Sequence, residues 1–242
     1  MKVLAIDTSN FVLGISILDN GKVIGEYITN LKKNHSIRAM PAIEQLMKEC
    51  EIEPKELTKI VVARGPGSYT GVRIGVTIAK TLAWTLNIPL VGVSSLEVLA
   101  VSVGKYFEGN VVPLFDARRG QIYTGLYYFS EKNCTQKRED QLILAKDWVE
   151  LLKEEKEKIL FVGNDLPLHQ EVILSGLGDQ AVLAEPTDFN PRPSVLAMLG
   201  NQKEEKEVHT FIPEYIRLAE AEANWLEANK KGKKEDLGNG KF

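Results

Sequence analysis

Few side chains in this 242-residue chain stand at spacings that could support chemistry. Two aspartates, Asp7 and Asp116, each end an apolar run, Val3 to Ile6 and Val111 to Phe115. A carboxylate at the end of a strand can help hold Mg²⁺. Gly65, Pro66, Gly67, Ser68, Tyr69, Thr70 and Gly71 form a glycine-rich turn between a strand-like and a helix-like stretch. Free backbone N–H groups at such a turn are where phosphates bind. The phosphate fingerprints nevertheless fail. Val72 follows Gly71 where a Walker loop needs lysine. Gly71 comes four residues after Gly67, not the three of the dinucleotide fingerprint. Ser68 lies in no Gly-x-Ser-x-Gly elbow. From physics alone the segment is a tight turn with close helix packing at Gly71 and Gly75. The three histidines, His35, His169 and His209, are far apart and form no Glu/His pair at ligand spacing, so they are predicted to be surface or capping residues. Cys50 and Cys134 show no metal or redox spacing and fit a reducing compartment.

The bulk composition narrows the partners. Hydrophobic residues make up 44% of the chain, enough for one large domain or two packed lobes. A net charge of -3 and a pI near 5.8 lack the basic footprint of an independent nucleic-acid binder. The apolar start, Met1 to Ile6, is too short for a secretory leader, and no run approaches the ~20 apolar residues of a membrane span. A cytoplasmic protein with no membrane partner is expected.

The elements that must position these residues occur twice. Lys2 to Ile6, Phe11 to Leu18 and Lys22 to Thr29 are predicted strands, the last two joined at Asp19-Asn20-Gly21, which suits a tight hairpin. Helical spacing follows over Ser36 to Cys50, with Ser36 as expected cap. Then come a strand at Lys59 to Ala63, a helix at Thr70 to Leu86, a strand at Pro89 to Val93 and a helix from Ser95. The second half repeats the order: Val111 to Phe115, Gln121 to Phe129, a third strand near Gln141 to Leu144, and a helix containing Trp148, Leu151 and Leu152. A strand at Ile159 to Val162, a helix from Leu166, a strand at Ala181 to Leu183 and a helix after Pro193 complete it. Asp7 and Asp116 match, and Gly14 and Gly125 each fall in a second strand. The fold class is therefore α/β: two βββαβαβα lobes facing across a cleft, the duplicated actin/hexokinase/heat-shock-ATPase-like (ribonuclease H-like) architecture. The expected organisation is an N-terminal lobe over 1–105, a C-terminal lobe over 106–210, a C-terminal helix over 211–230 and a disordered tail over 231–242. Leu218, Ala221, Trp225 and Ala228 would share one face of that last helix.

The glycine-rich segment, together with Asp7-Thr8-Ser9, resembles the TsaB (YeaZ-like) family, the dimerization subunits of the tRNA threonylcarbamoyladenosine machinery, formerly called glycoprotease homologues. The likeness continues through His35-Ser36 with Pro41, Gly92-Val93-Ser94-Ser95-Leu96, Asp116-Ala117-Arg118-Arg119-Gly120 with Tyr123, and Pro213-Glu214-Tyr215-Ile216-Arg217. It implies a non-catalytic scaffold subunit, required for threonylcarbamoyl transfer to the adenosine next to the anticodon of tRNAs reading A-starting codons. Its implied partners are a TsaD-like catalytic paralogue, a TsaE-like ATPase, a second copy of itself in isolation, and tRNA through the complex only.

Departures from the catalytic relatives carry the same message. TsaD-like enzymes place a metal-binding His-x-x-x-His where this chain has Ser95 and Leu99, which cannot act as imidazole ligands. Active members of the superfamily use a glycine-containing turn where this chain has Asp7, Thr8 and Ser9, and Gly163-Asn164-Asp165 lacks the paired glycines that cradle adenosine. Asp7, Thr8, Ser9 and Asp116 are accordingly a vestigial nucleotide cleft, and neither a metal nor a cofactor is expected. Two other readings stay open here. A small-molecule kinase would need the missing phosphate glycines, and a glycoprotease-like metalloenzyme the missing histidines. The partner surface is assigned to the first-lobe helices: Ile37, Met40 and Met47 on one, Arg73, Thr77, Lys80, Thr81 and Trp84 on the other. Ile74, Ile78 and Leu82 are expected to enter the core beside them. A tryptophan on a polar stripe suits an interface hot spot.

Overall fold

The computed structural model describes residues 1–131 and 133–216. The end of the expected C-terminal helix and the 231–242 tail lie outside the described residues; 211–216 are not helical.

The first half contains β1 (Lys2–Asp7), β2 (Val12–Asp19), β3 (Lys22–Asn30), α1 (His35–Glu49), β4 (Lys59–Ala63), α2 (Tyr69–Leu86), β5 (Leu90–Val93) and α3 (Ser95–Gly104). The second contains β6 (Gly109–Asp116), β7 (Gln121–Ser130), β8 (Asn133–Leu144), α4 (Ala145–Leu152), β9 (Ile159–Val162), α5 (Leu166–Leu177), β10 (Ala181–Leu183) and α6 (Pro193–Gln202). The two five-stranded mixed sheets are ordered β3-β2-β1-β4-β5 and β8-β7-β6-β9-β10, so one topology appears twice.

Strand alternation explains the layering. Leu4 and Ile6 of β1 point to one face and join the cluster formed by α1 and α2. Val3 and Ala5 point to the other, where they meet Leu196 and Ala197 of α6. In the second sheet, Val112 and Leu114 face α4 and α5, whereas Val111 and Phe115 face Leu96 and Leu99 of α3. The helix closing each half therefore packs on the sheet of the other half. Gly200 lets α6 approach Val61, and Gly104 lets α3 approach Phe129; an added Cβ would lie 2.3 Å from each side chain. The duplicated actin/hexokinase-like architecture follows: sheets on either side of α3 and α6, with α1/α2 and α4/α5 outside.

Three local expectations need correction. Asn34, not Ser36, caps α1, accepting from the Ser36 N–H at 3.0 Å. β8 runs from Asn133, well before Gln141, because its edge position lets a polar strand stay exposed. The core face of α2 is Gly71, Val72, Gly75, Val76, Ala79 and Ala83, leaving Ile74, Ile78 and Leu82 half-buried. Small residues win that face because α2 lies almost on the β1–β2 turn.

Candidate functional site: the interlobe cleft and the outer helices

The glycine-rich loop is clamped to the turn that follows β1. Ser68 caps α2, accepting from the Gly71 N–H at 3.3 Å, and its own N–H donates to the Ser9 carbonyl at 2.7 Å. The Thr8 hydroxyl donates to the Gly71 carbonyl at 2.7 Å. An added Cβ would lie 2.2 Å from the Ser9 carbonyl oxygen at Gly67, 2.2 Å from that of Thr8 at Gly71, and 2.5 Å from the Thr8 hydroxyl at Gly75. Gly65 and Gly67 also take positive φ, 108° and 159°. The spacing of these glycines is thus a steric requirement of loop-on-turn contact. Pro66 is buried beneath the loop, while Ser68, Tyr69 and Thr70 are exposed along it. Tyr69 stacks on Tyr215 at 5.0 Å between ring centroids.

Behind this clamp Asp7 is fully buried. Its Oδ1 accepts from the Ser9 N–H (2.8 Å) and the Ser9 hydroxyl (2.7 Å), while Oδ2 has no partner. Burial raises its carboxyl above the ordinary 3.8, against the pull of the two Ser9 bonds and His35. His35 opens α1 and donates from Nε2 to the Asn10 carbonyl at 2.7 Å. A carboxylate sealed in this way is poorly placed to reach a solvated cation or a phosphate.

The second lobe keeps its aspartate open. Asp116 is half-buried on the wall of a cleft of about 730 Å³ between the lobes. Its Oδ2 accepts from the Arg118 N–H at 3.1 Å, and its Oδ1 accepts from His169 Nε2 at 3.0 Å. Asp165 accepts from the Asp116 N–H at 2.9 Å; burial, then the neighbouring Asp116 charge, raise its pKa. His35 and His169 are both buried and neither caps its helix, which corrects the expectation of surface or capping histidines; His209 is exposed. His169 is invisible to sequence reasoning because its partner is 53 residues away.

The places where imidazole ligands would stand are occupied otherwise. Ser95 is fully buried; its hydroxyl accepts from the Gly65 N–H at 3.2 Å and its N–H donates to the Gly65 carbonyl at 2.9 Å. Leu99 is in the core between α3 and the second sheet. Among the described residues, no three His, Cys, Asp or Glu side chains gather as a metal set.

The outer helices expose apolar residues. Ile37 is 71% exposed, Trp84 66% and Met40 44%. Arg73, Thr77 and Thr81 are exposed beside Trp84 on α2. Met47 is not on this surface: it is 7% exposed and packs in the first-lobe core, because the α1 arc that reaches it lies on the sheet. Lys80 is half-buried, and its ammonium donates to the carbonyls of His209 (3.1 Å) and Phe211 (2.7 Å).

Comparison with known proteins places this arrangement. Residues 22–225 match the family described as TsaD, tRNA N6-adenosine threonylcarbamoyltransferase. The chain is 55% identical over 230 residues to the tRNA threonylcarbamoyladenosine biosynthesis protein TsaB of Bacillus subtilis, covering 95% of this chain and 100% of that one. The chain belongs to the TsaB family. TsaB of Escherichia coli is 29% identical over 150 residues, 62% of this chain and 64% of its own. The structure of YeaZ from Pseudomonas aeruginosa superposes with a TM-score of 0.73 at 22% identity, covering 88% of this chain and 99% of that one, a likeness of fold.

Two features of this TsaB-family chain escape sequence reasoning. The segment from Lys206 straps the first lobe: the Lys206 N–H donates to Leu90, Phe211 packs on Gly92, and the Glu214 N–H donates to the Arg64 carbonyl at 2.7 Å. Arg64 and Glu214 also pair at 3.0 Å. Behind them, Asp140 accepts from the Ser94 hydroxyl, from Tyr127 at 2.5 Å and from Gln136 at 3.1 Å. Burial raises the pKa of both Asp140 and Tyr127. Spacing could not reveal the cluster, since Ser94 and Asp140 are 46 residues apart.

Proposed function

We propose that this chain is a non-catalytic subunit in the biosynthesis of threonylcarbamoyladenosine in tRNA, and that it works by pairing with a TsaD-like catalytic paralogue. The single observation that carries the reading is the occupation of the catalytic places by packing residues. Ser95 fixes the Gly65 peptide, and Leu99 fills the core, where a metal-dependent relative would need two ligands. The closure of the β1–β2 turn by α2 supports it further, because phosphoryl transfer needs that backbone free to donate.

In this reading the clamp has a positive role. It fixes α2 rigidly on the sheet, so the exposed faces of α1 and α2 are held as one surface carrying Ile37, Met40 and Trp84. A large aromatic ringed by polar groups is suited to binding a partner, and the thioether exposed on α1 suits an adaptable one. That surface takes the catalytic paralogue in the working complex and a second copy when the chain is alone. The pair then offers a site to a TsaE-like ATPase, and tRNA is held by the complex, in keeping with this chain's net charge of -3.

Reconstituting tRNA modification with and without this chain tests the role. The transferase should act well only with it present, and the chain alone should transfer nothing. Stoichiometric, tightly held Zn or Fe in the purified chain, or transfer by the chain alone, overturns the proposal.

A further inference from the structure

On the reading that α1 and α2 take the TsaD-like paralogue, we propose that the strap, Lys206 to Tyr215, is a further element of that surface, with Ile212 as its contact side chain and Lys80 as the residue that positions it. The strap starts at the edge of the first sheet, where the Lys206 N–H donates to the Leu90 carbonyl at 2.9 Å and Lys59 pairs with the preceding Glu205 at 3.3 Å. It then follows α2. His209 meets Trp84 edge-on at 6.3 Å between centroids, and Tyr215 stacks on Tyr69 at 5.0 Å. Trp84 lies in the last turn of α2 and Tyr69 opens the helix, so the strap runs antiparallel to it. From Lys80 back to Tyr69 the helix rises about 16 Å, and a non-helical segment from His209 to Tyr215 can reach about 20 Å, so the two elements stay in step.

What this adds to the surface is apolar. Along α2 the exposed stripe is polar at Arg73, Thr77 and Thr81 and apolar at Trp84. An interface centres on apolar contacts inside a polar rim, so a lone tryptophan needs apolar neighbours. The strap supplies one. Phe211 is 7% exposed and packs on Gly92, where an added Cβ would lie 2.6 Å from its ring. The next residue, Ile212, is 75% exposed, so the anchor that buries one side chain turns the other outward. A single exposed isoleucine is ordinary. Ile212, however, lies between His209 and Tyr215 on the line that runs from Trp84 to Tyr69. Lys80 holds it there. Its half-buried ammonium donates to the carbonyls of His209 and Phe211, and the second of these belongs to the peptide that leads into Ile212. Turned toward the strap in this way, Lys80 serves the surface by fixing Ile212 and not by touching the partner.

Calorimetric titration of a TsaD-like transferase into the full chain tests the strap, with Trp84→Ala as the control for the α1/α2 face. Ile212→Ala should weaken binding about tenfold and leave the melt unchanged, since the side chain is exposed. Lys80→Met keeps the stem and removes the ammonium. It should weaken binding about five- to tenfold and speed amide hydrogen exchange at Lys206 and Glu214, whose N–H groups tie the strap down. Lys80→Arg, which can still donate to both carbonyls, should restore affinity and slow exchange. Full affinity in either strap variant, beside a loss in Trp84→Ala, overturns the proposal and leaves α1 and α2 as the partner face. Full affinity in all three overturns that face as well.

Discussion

Asp7 and Asp116 stand at the same point of two copies of one topology, and their surroundings have diverged in opposite directions. Asp7 is sealed beneath a helix, with one oxygen bonded to Ser9 and the other to nothing. Asp116 faces the cleft with both oxygens bonded, one to a buried histidine and one to its own turn. In the first lobe this corner is a packing contact that fixes the angle of α2, whose outer face is the one proposed here to meet a partner. The second lobe has left its corner open and lined it with cations. One fold can thus hold a packed corner on one side and an open one on the other, depending on whether glycines allow a helix to close on the strand end.

The sharpest way to break this comparison is to add a single carbon to one corner and relieve the strain in the other. Gly71→Ala places a Cβ 2.2 Å from the Thr8 carbonyl oxygen, a backbone clash that cannot be relieved by a rotamer change. It should cost about 3 kcal/mol of stability and lower the melting temperature by roughly 6–12 °C. Arg118→Gly in the other corner should leave the melt unchanged or raise it slightly, since glycine suits a φ of 65°. Equal losses at the two positions would mean that the lobes are not differently packed.

The methionines of α1 sharpen the boundary between platform and core. Met47→Ala should cost about 2–3 kcal/mol in chemical denaturation, because the side chain is 7% exposed. Met40→Ala, at 44% exposure, should stay within about 0.5 kcal/mol. Reversed values would place the wrong face of α1 on the sheet.

Asp7 gives the smallest effect and a pH signature. Its carboxyl titrates higher folded than unfolded, so the folded state holds the proton more tightly from about pH 4 upward. Its contribution is therefore most favourable below that pH, and declines as pH rises through the folded value. Asp7→Asn keeps an acceptor for Ser9 and removes the buried charge. Near pH 7 it should gain about 1 kcal/mol and flatten the stability profile above pH 4. Asp116→Asn, on the open side, should bring no such gain. A loss at Asp7→Asn, measured by denaturation across pH, would give the buried carboxylate a role that the packing account does not contain.

Much of this is readable from the sequence, and the gaps have physical causes. Short apolar runs mark β4, β9 and β10 to the residue; β4 and β9 are continuously apolar because they are buried on both faces. β8 reads short because an edge strand of charged residues has no alternation to follow. Hydrophobicity favours Ile74 and Ile78 over Gly71 and Gly75 for the core face of α2, yet close approach selects for absence of a side chain. His169 meeting Asp116, and the strap meeting Arg64, are long-range pairings that local spacing does not encode.

The central claim, that the outer face of the clamped helices binds the catalytic paralogue, is tested most directly at Trp84. The residue is 66% exposed and makes an edge contact with His209 at 6.3 Å between centroids. Calorimetric titration of a TsaD-like transferase into the wild-type chain and the Trp84→Ala variant should show a loss of about 2 kcal/mol, roughly thirtyfold in Kd. A parallel thermal melt should be nearly unchanged. Unaltered affinity with a collapsed melt would contradict the account, because Trp84 would then belong to the fold and not to the interface.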